Sequence, residues 1–281
     1  MKEIDVLRAK NSNHENYLLK DHILEALKQL DIFINYVNNN EKNIDYNYKK
    51  FYSQLAKAIF IHDLGKVNRH FQRKVFKEDE RSLKDSILND KLKNDKTKKE
   101  IDHEILSILW SCFLLNNSED DKQIRTAVLL HHYNNYYINE KNIMEIIQDY
   151  PDIVDYIDFL YNNKDFVKRL VNDLIDYINN KINSGIISDA LNQIKNGMEG
   201  NFENLENLKR AIENHDDDIP KYCEMFEIKD ENYYDFFVFL GILRRCDYTA
   251  SGDIKIEKYI DGSLEDLFNK VAEKIKNKIN N

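Results

Sequence analysis

The chain has 281 residues, 42% of them hydrophobic and 32% charged, and its 50 acidic against 41 basic side chains give a formal net charge of −9. Only 7 Gly and 2 Pro are present, too few for a turn-rich β-sandwich or barrel, while 17 Tyr and 14 Phe argue against large-scale disorder. The acidic balance argues against non-specific nucleic-acid binding by the surface as a whole, although bound divalent cations or local basic stretches can supply positive charge where it is needed.

Helical periodicity dominates the chain. Leu19, Ile23, Leu27, Leu30 and Ile34 mark a first helix over about Glu15 to Val37, and Asn38 to Asn43 form a polar break. A second helix, about Tyr46 to Ile61, carries Phe51, Leu55, Ala58 and Ile59 and runs into His62–Asp63, with Gly65 expected to give the backbone freedom to turn out of it. Residues 68 to about 100 are strongly charged: KLKNDKTKK (91–99) reads as a solvated, mobile loop, whereas RHFQRKVFK (69–77) mixes aromatics with cations. Within it Arg69, His70, Gln72 and Arg73 are candidate contacts for a nucleic-acid strand.

Two helices follow, Ile101 to Leu115 and about Lys122 to Tyr133. Residues 138–230 hold shorter amphipathic patterns without concentrated chemistry and read as an inserted helical subdomain. A helix from about Tyr233 to Ala250 returns to the main body, and a last one begins after the N-cap candidate Ser263. The expectation is one all-α domain over 1–281. The seven glycines (65, 185, 197, 200, 241, 252 and 262) permit no GxxxxGK[ST] or GxGxxG loop. Cys112, Cys223 and Cys246 form no CxxC pair and read as buried reduced thiols. Neither an apolar signal region nor a run of ~18 apolar residues is present, so a cytoplasmic protein with no membrane partner is expected.

A lone His–Asp pair is weak evidence of chemistry. His62–Asp63 gains weight from His22, His103, His131 and His132, which with His62 place five histidines at apolar faces or ends of four helices. Burying that many imidazoles without a common purpose costs solvation, and divalent metals are a natural common purpose. Phe236, Leu240, Leu243 and Asp247 fall at i, i+4, i+7 and i+11, so a carboxylate stands in line with a core stripe and needs a cation or several donors. Arg244 and Arg245 lie at poor helical angles to serve that face. His14 and His215 lie in polar runs and read as surface residues.

In order along the chain, AKN…LxxH at 9–22, HDLGK at 62–66 with Phe71–Gln72, DHE at 102–104, LLHH at 129–132 and LxxxDxxxS at 243–251 resemble the HD nuclease of CRISPR type I interference, the nuclease half of that system's helicase-nuclease. The family pattern usually reads Ala-Lys-Ser where Ala9-Lys10-Asn11 stands here. The resemblance implies an all-helical HD bundle. It implies one divalent metal on His22, His62, Asp63 and Asp247, and a second sharing Asp63 and adding His103, His131 and His132. Lys66 would lie beside the scissile phosphate, with Asp63 and Lys66 as the catalytic pair. Single-stranded DNA would be the main substrate, Mn²⁺, Mg²⁺, Ni²⁺ or another transition metal the cofactor. A separate CRISPR helicase and the crRNA-guided interference complex would be the partners of a stand-alone nuclease. The competing expectation is an HD-type phosphohydrolase of small or cyclic nucleotides, which would share fold and metals. A helical scaffold whose site only binds metal is a third.

Overall fold

Few helix breakers leave long helices. The computed structural model describes residues 2–10, 17–40, 46–76, 91–116, 118–132, 150, 152–198, 201–214, 220, 223–227, 229 and 232–251. Within them lie α1 (Leu19–Asn40), α2 (Tyr46–Ile61), α3 (Arg69–Val75), α4 (His103–Leu114), α5 (Glu119–Leu130), α6 (Ile153–Asn162), α7 (Lys164–Asn179), α8 (Gly185–Gly197), α9 (Glu203–Glu213) and α10 (Tyr233–Ser251). Two short 3₁₀ turns, Glu3–Asp5 and Leu64–Lys66, complete the elements. No strand occurs among the described residues, and the fold is all-helical as expected.

The apolar stripe of α1 is buried from Leu19 through Ile34 and packs along α10. On α10 the residues Phe236, Leu240, Leu243 and Asp247 are buried together, so the carboxylate does ride on a core face. Every residue of α4 from Glu104 to Leu114 is buried, as befits a helix apolar on all sides and placed centrally. It lies between α5, α9 and the Leu64–Lys66 turn. A capping box between Ser118 and Asp121 starts α5 three residues earlier than the sequence pattern suggests.

Residues 69–75, expected only as a charged stretch mixing aromatics with cations, form the helix α3. The segment 91–99, expected as a solvated loop, is exposed at Lys93, Asn94, Lys96, Lys98 and Lys99 but anchored between them. Leu92, Asp95 and Thr97 are buried in it, and Asp95 accepts hydrogen bonds from the backbone N–H groups of Arg69 (2.9 Å) and Thr97 (3.1 Å). Helices α6 to α9 lie within the stretch expected as a helical insertion of the one domain, and their apolar faces join the same core: α8 packs on α2, α7 on α1 and α9 on α4. The expected last helix after Ser263, together with His14 and His215, lies outside the described residues.

Candidate metal centre

The site is built around the turn that ends α2. His62 still closes a helical hydrogen bond, its N–H donating to Ala58 O at 2.9 Å, and the chain then tightens into the Leu64–Lys66 turn. Gly65 is needed there for space. A Cβ at that position would come within 1.9 Å of His103 O and 2.7 Å of Ser107 N, so only glycine lets the turn sit against the first turn of α4. The expectation of backbone freedom is thus replaced by one of close approach. Ser107 fastens the contact by accepting from Gly65 N (2.8 Å) and donating to His62 O (2.7 Å). Next, Asn68 caps α3 by accepting from Phe71 N at 2.8 Å. Gln72 brackets the Arg8 backbone, accepting from its N–H (3.1 Å) and donating to its C=O (3.0 Å), and also donates to Lys66 O (2.9 Å).

Around this turn the histidines and acids named in the sequence converge. His22 Nε2 lies 2.9 Å from Asp63 Oδ2 and 3.2 Å from Asp247 Oδ1. His62 Nε2 lies 3.5 Å from the same two oxygens. His103 Nε2 lies 3.3 Å from the other Asp63 oxygen, Oδ1. His131 and His132 complete that side, with ring centroids 4.0 Å apart and 5.7 and 5.0 Å from His103. Two sets of ligand atoms result, His22–His62–Asp63–Asp247 and Asp63–His103–His131–His132, each within 4.8 Å of one another and both containing Asp63.

The ring tautomers favour metal. His62 Nδ1 donates to Ile59 O (2.6 Å) and His131 Nδ1 to Val128 O (2.5 Å), each reaching back three residues to a carbonyl left free at its helix end. A carbonyl can only accept, so Nδ1 carries the proton and Nε2 of the neutral ring presents a bare lone pair to the centre. Nε2 of His22, His62, His103 and His131, Asp63 Oδ1 and Asp247 Oδ2 are all buried without a hydrogen-bond partner. So many orphaned buried atoms aimed at two points are costly in the protein alone and are satisfied by cations. The donor set of imidazole and carboxylate suits divalent transition metals and Mg²⁺.

For His131 and His132 the electrostatics agree. Burial pushes His131 well below the ordinary histidine value, helped by the positive fields of His62 and His132. Burial likewise brings His132 down to about 4. Both rings are therefore neutral at pH 7. Burial opposes charge on Asp63, yet Lys66 and His62 outweigh it and hold the carboxyl well below its usual range. Asp247 is likewise held low against its burial by the His22 and His62 rings that face its carboxylate. His62 is the exception: the Asp63 and Asp247 carboxylates overcome its burial and raise it.

The centre opens on a cleft of about 670 Å³ whose walls include Lys10, Lys66, Phe71, Lys74, His103 and His132. Lys66 is largely buried, its ammonium 2.6 Å from Asp63 Oδ2. Of the expected strand contacts, Arg73 is exposed, His70 Nε2 meets Thr97 O at 2.6 Å, and the Arg69 backbone is held by Asp95. Gln72 is fully buried, with its amide turned to backbone rather than to the cleft. Sequence reasoning missed Ser107, one turn after His103. It also missed Arg244, whose guanidinium donates to Leu130 O (2.5 Å) and so fixes the chain one residue before His131. A buried cation three residues before Asp247 was the available signal.

The family model of the HD domain of Cas3 matches residues 9–179. The chain belongs to the Cas3 HD family. Membership brings with it the all-helical fold and the chemistry of metal-dependent hydrolases. The chain is 39% identical over 278 residues to a CRISPR-associated nuclease/helicase Cas3 from Methanothermobacter thermautotrophicus, a match covering 98% of this chain and 33% of that protein. It therefore spans about a third of the length of that curated relative. No solved structure gives a significant match. Among the described residues no helix is long and apolar enough to cross a membrane.

Proposed function

We propose that this chain is a Cas3-type HD nuclease that hydrolyses phosphodiester bonds, mainly of single-stranded DNA, in CRISPR interference. The observation that carries the reading is Asp63, whose two oxygens each face a different set of imidazoles. In this reading His22, His62, Asp63 and Asp247 hold one divalent cation, and Asp63, His103, His131 and His132 hold another, with Mn²⁺, Mg²⁺ or Ni²⁺ as candidates. Cations bound there acidify an attacking water and draw off charge from the phosphoryl oxygens.

The protein's own groups do the rest. Ile59 O and Val128 O orient the His62 and His131 rings. Lys66, which lines the cleft, adds positive charge beside the scissile phosphate, and Lys10 and Lys74 extend that charge along the walls. Arg73, Arg69 and His70 on α3 lie next along the strand path, with Gln72 holding α3 in place. The net charge of −9 leaves little general attraction for a polyanion. Delivery of the strand then falls to a separate helicase subunit and the crRNA-guided complex.

Purified protein should cut single-stranded DNA with Mn²⁺, Mg²⁺ or Ni²⁺ and lose all cleavage in excess EDTA. Asp63→Ala and His62→Ala, checked for unchanged helical circular dichroism, should be inactive. Turnover of mononucleotides or cyclic dinucleotides with no cleavage of DNA would overturn the assignment.

A further inference from the structure

The cleft in front of the metal centre is more than a phosphate cradle. Phe71, on the first turn of α3, is only partly buried and lines the cleft beside Lys66 and His103. Its ring centroid lies 6.0 Å from that of His103, and Lys66 Nζ lies 5.6 Å from its centre. Ala9, Val75 and Ile101 line the same cleft and give it further apolar surface. A phosphate reaching Lys66 has no use for an aromatic face and three apolar side chains. A nucleoside attached to that phosphate does.

The helix that carries the ring is also held firmly. Asn68 accepts from Phe71 N at 2.8 Å, and the neighbouring Gln72 ties α3 to the backbones of Arg8 and Lys66. A stacking surface whose supports are fixed loses little entropy on binding. Lys66 and Lys74 line the same cleft and can follow the backbone of a strand whose base lies on the ring, Lys74 by exchanging its ion pair with Glu100 (2.7 Å).

Accordingly, we infer that Phe71 is a stacking platform for a nucleobase next to the scissile phosphate. The inference rests on the nuclease reading and deepens it. A base in duplex is already paired and stacked, and reaching a ring inside a cleft requires taking it out of the helix. Preference for unpaired strands then resides in Phe71, while the metals act on any phosphodiester that reaches them.

Two substrates separate these roles. Bis(p-nitrophenyl) phosphate presents a phosphodiester with no nucleobase, and a single-stranded oligonucleotide with one abasic position removes one base at a time. Phe71→Leu, which keeps the apolar volume, should raise KM for single-stranded DNA about 10- to 100-fold while leaving hydrolysis of the small diester within about twofold. Phe71→Trp, which keeps an aromatic face, should retain a near-native KM. In the native protein an abasic position flanking the cut should slow cleavage, and the same position should make no difference in Phe71→Leu. The abasic series on the native protein tests the idea even where a variant folds poorly. An unchanged KM in Phe71→Leu, an equal loss on both substrates, or no abasic effect in the native protein would overturn the platform. Failure of the native protein to hydrolyse the small diester with any metal would strike the nuclease reading instead.

Discussion

Lys66 Nζ stands 2.6 Å from Asp63 Oδ2, inside the buried turn that carries both residues. The ammonium thus balances the carboxylate shared by the two ligand sets, and a divalent cation on Asp63 competes with it. Lys66→Met should therefore bind Mn²⁺ at least as tightly as the native protein but cleave single-stranded DNA roughly 10²- to 10³-fold more slowly, as for loss of a transition-state charge partner. Calorimetric metal titration beside single-turnover cleavage checks both halves. A fall in metal affinity matching the fall in rate would make Lys66 a structural residue only.

The two ligand sets meet at Asp63 and otherwise share nothing. Substitutions should therefore partition. His131→Ala should lower the bound Mn²⁺ by one per chain and leave the His22–His62–Asp247 side loaded. His22→Ala should do the converse, and Asp63→Ala should lose both. Equilibrium dialysis followed by metal analysis reads the stoichiometry. One metal lost from every variant alike would refute a shared bridge.

The histidines also set a direction for stability against pH in the metal-free protein. His131 and His132 are depressed in the folded state, His132 to about 4 from an ordinary 6.5. Between those values the unfolded chain takes up protons that the folded chain refuses, so their contribution is present above about 6.5 and fades as pH falls. His62 is raised and works the other way, stabilising at low pH and losing its contribution as pH rises through its folded value. Two depressed rings oppose one raised ring. Urea midpoints measured in EDTA should therefore drop between pH 7 and pH 5, and a midpoint that rises over that interval would contradict the burial of the His131–His132 pair.

Gly65 is a matter of fit. A methyl group there would meet His103 O at 1.9 Å, so backbone must move. Gly65→Ala should cost about 1–3 kcal/mol, the range of overpacked sites, and should weaken metal binding because His103 moves with the displaced turn of α4. Ser107→Ala, which removes the fastening but leaves the space, should cost about 1–3 kcal/mol through an unpaired buried N–H and C=O while metal binding changes less. Urea unfolding with matched metal titrations separates the two. Equal effects on metal binding would mean that the hydrogen bonds, not the close approach, position His103.

What the sequence disclosed and concealed follows from how each element is held. The span of α2 was legible because its apolar rhythm ends where His62–Asp63 begins, and Asp247 because one acid interrupts the stripe of Phe236, Leu240 and Leu243. Helix α3 was not legible. Seven residues rich in cations offer little apolar periodicity, and beyond the local cap at Asn68 long-range partners hold them: Gln72 on Arg8, and Asp95 from 26 residues away. The same absence of local signal made 91–99 look wholly solvated, since buried Asp95 is held by the N–H of Arg69, 26 residues away, together with that of nearby Thr97. Gln72 was read as a strand contact from its basic neighbours, yet those neighbours say nothing of which face of α3 is inward.

Tyr156 shows how far the helices after residue 150 reach into the site. One of the two Tyr residues in the amphipathic pattern of α6 carries no sequence signal of its own, but the Tyr156 hydroxyl accepts from Trp110 Nε1 (3.0 Å) and donates to Val67 O (2.9 Å), the residue that closes the Lys66 turn. Burial raises its pKa far above the ordinary phenol range, so the proton needed by Val67 O stays in place at all working pH values. Tyr156→Phe keeps the ring and leaves a buried indole N–H and a buried carbonyl unpaired. It should lower stability by about 1–3 kcal/mol and, by loosening the Val67 end of the turn, reduce cleavage with a smaller change in metal affinity. A urea midpoint shift at constant slope, measured with the cleavage rate of the metal-loaded protein, tests this. An unchanged midpoint would detach α6 from the catalytic turn and make its packing on the core incidental to the chemistry.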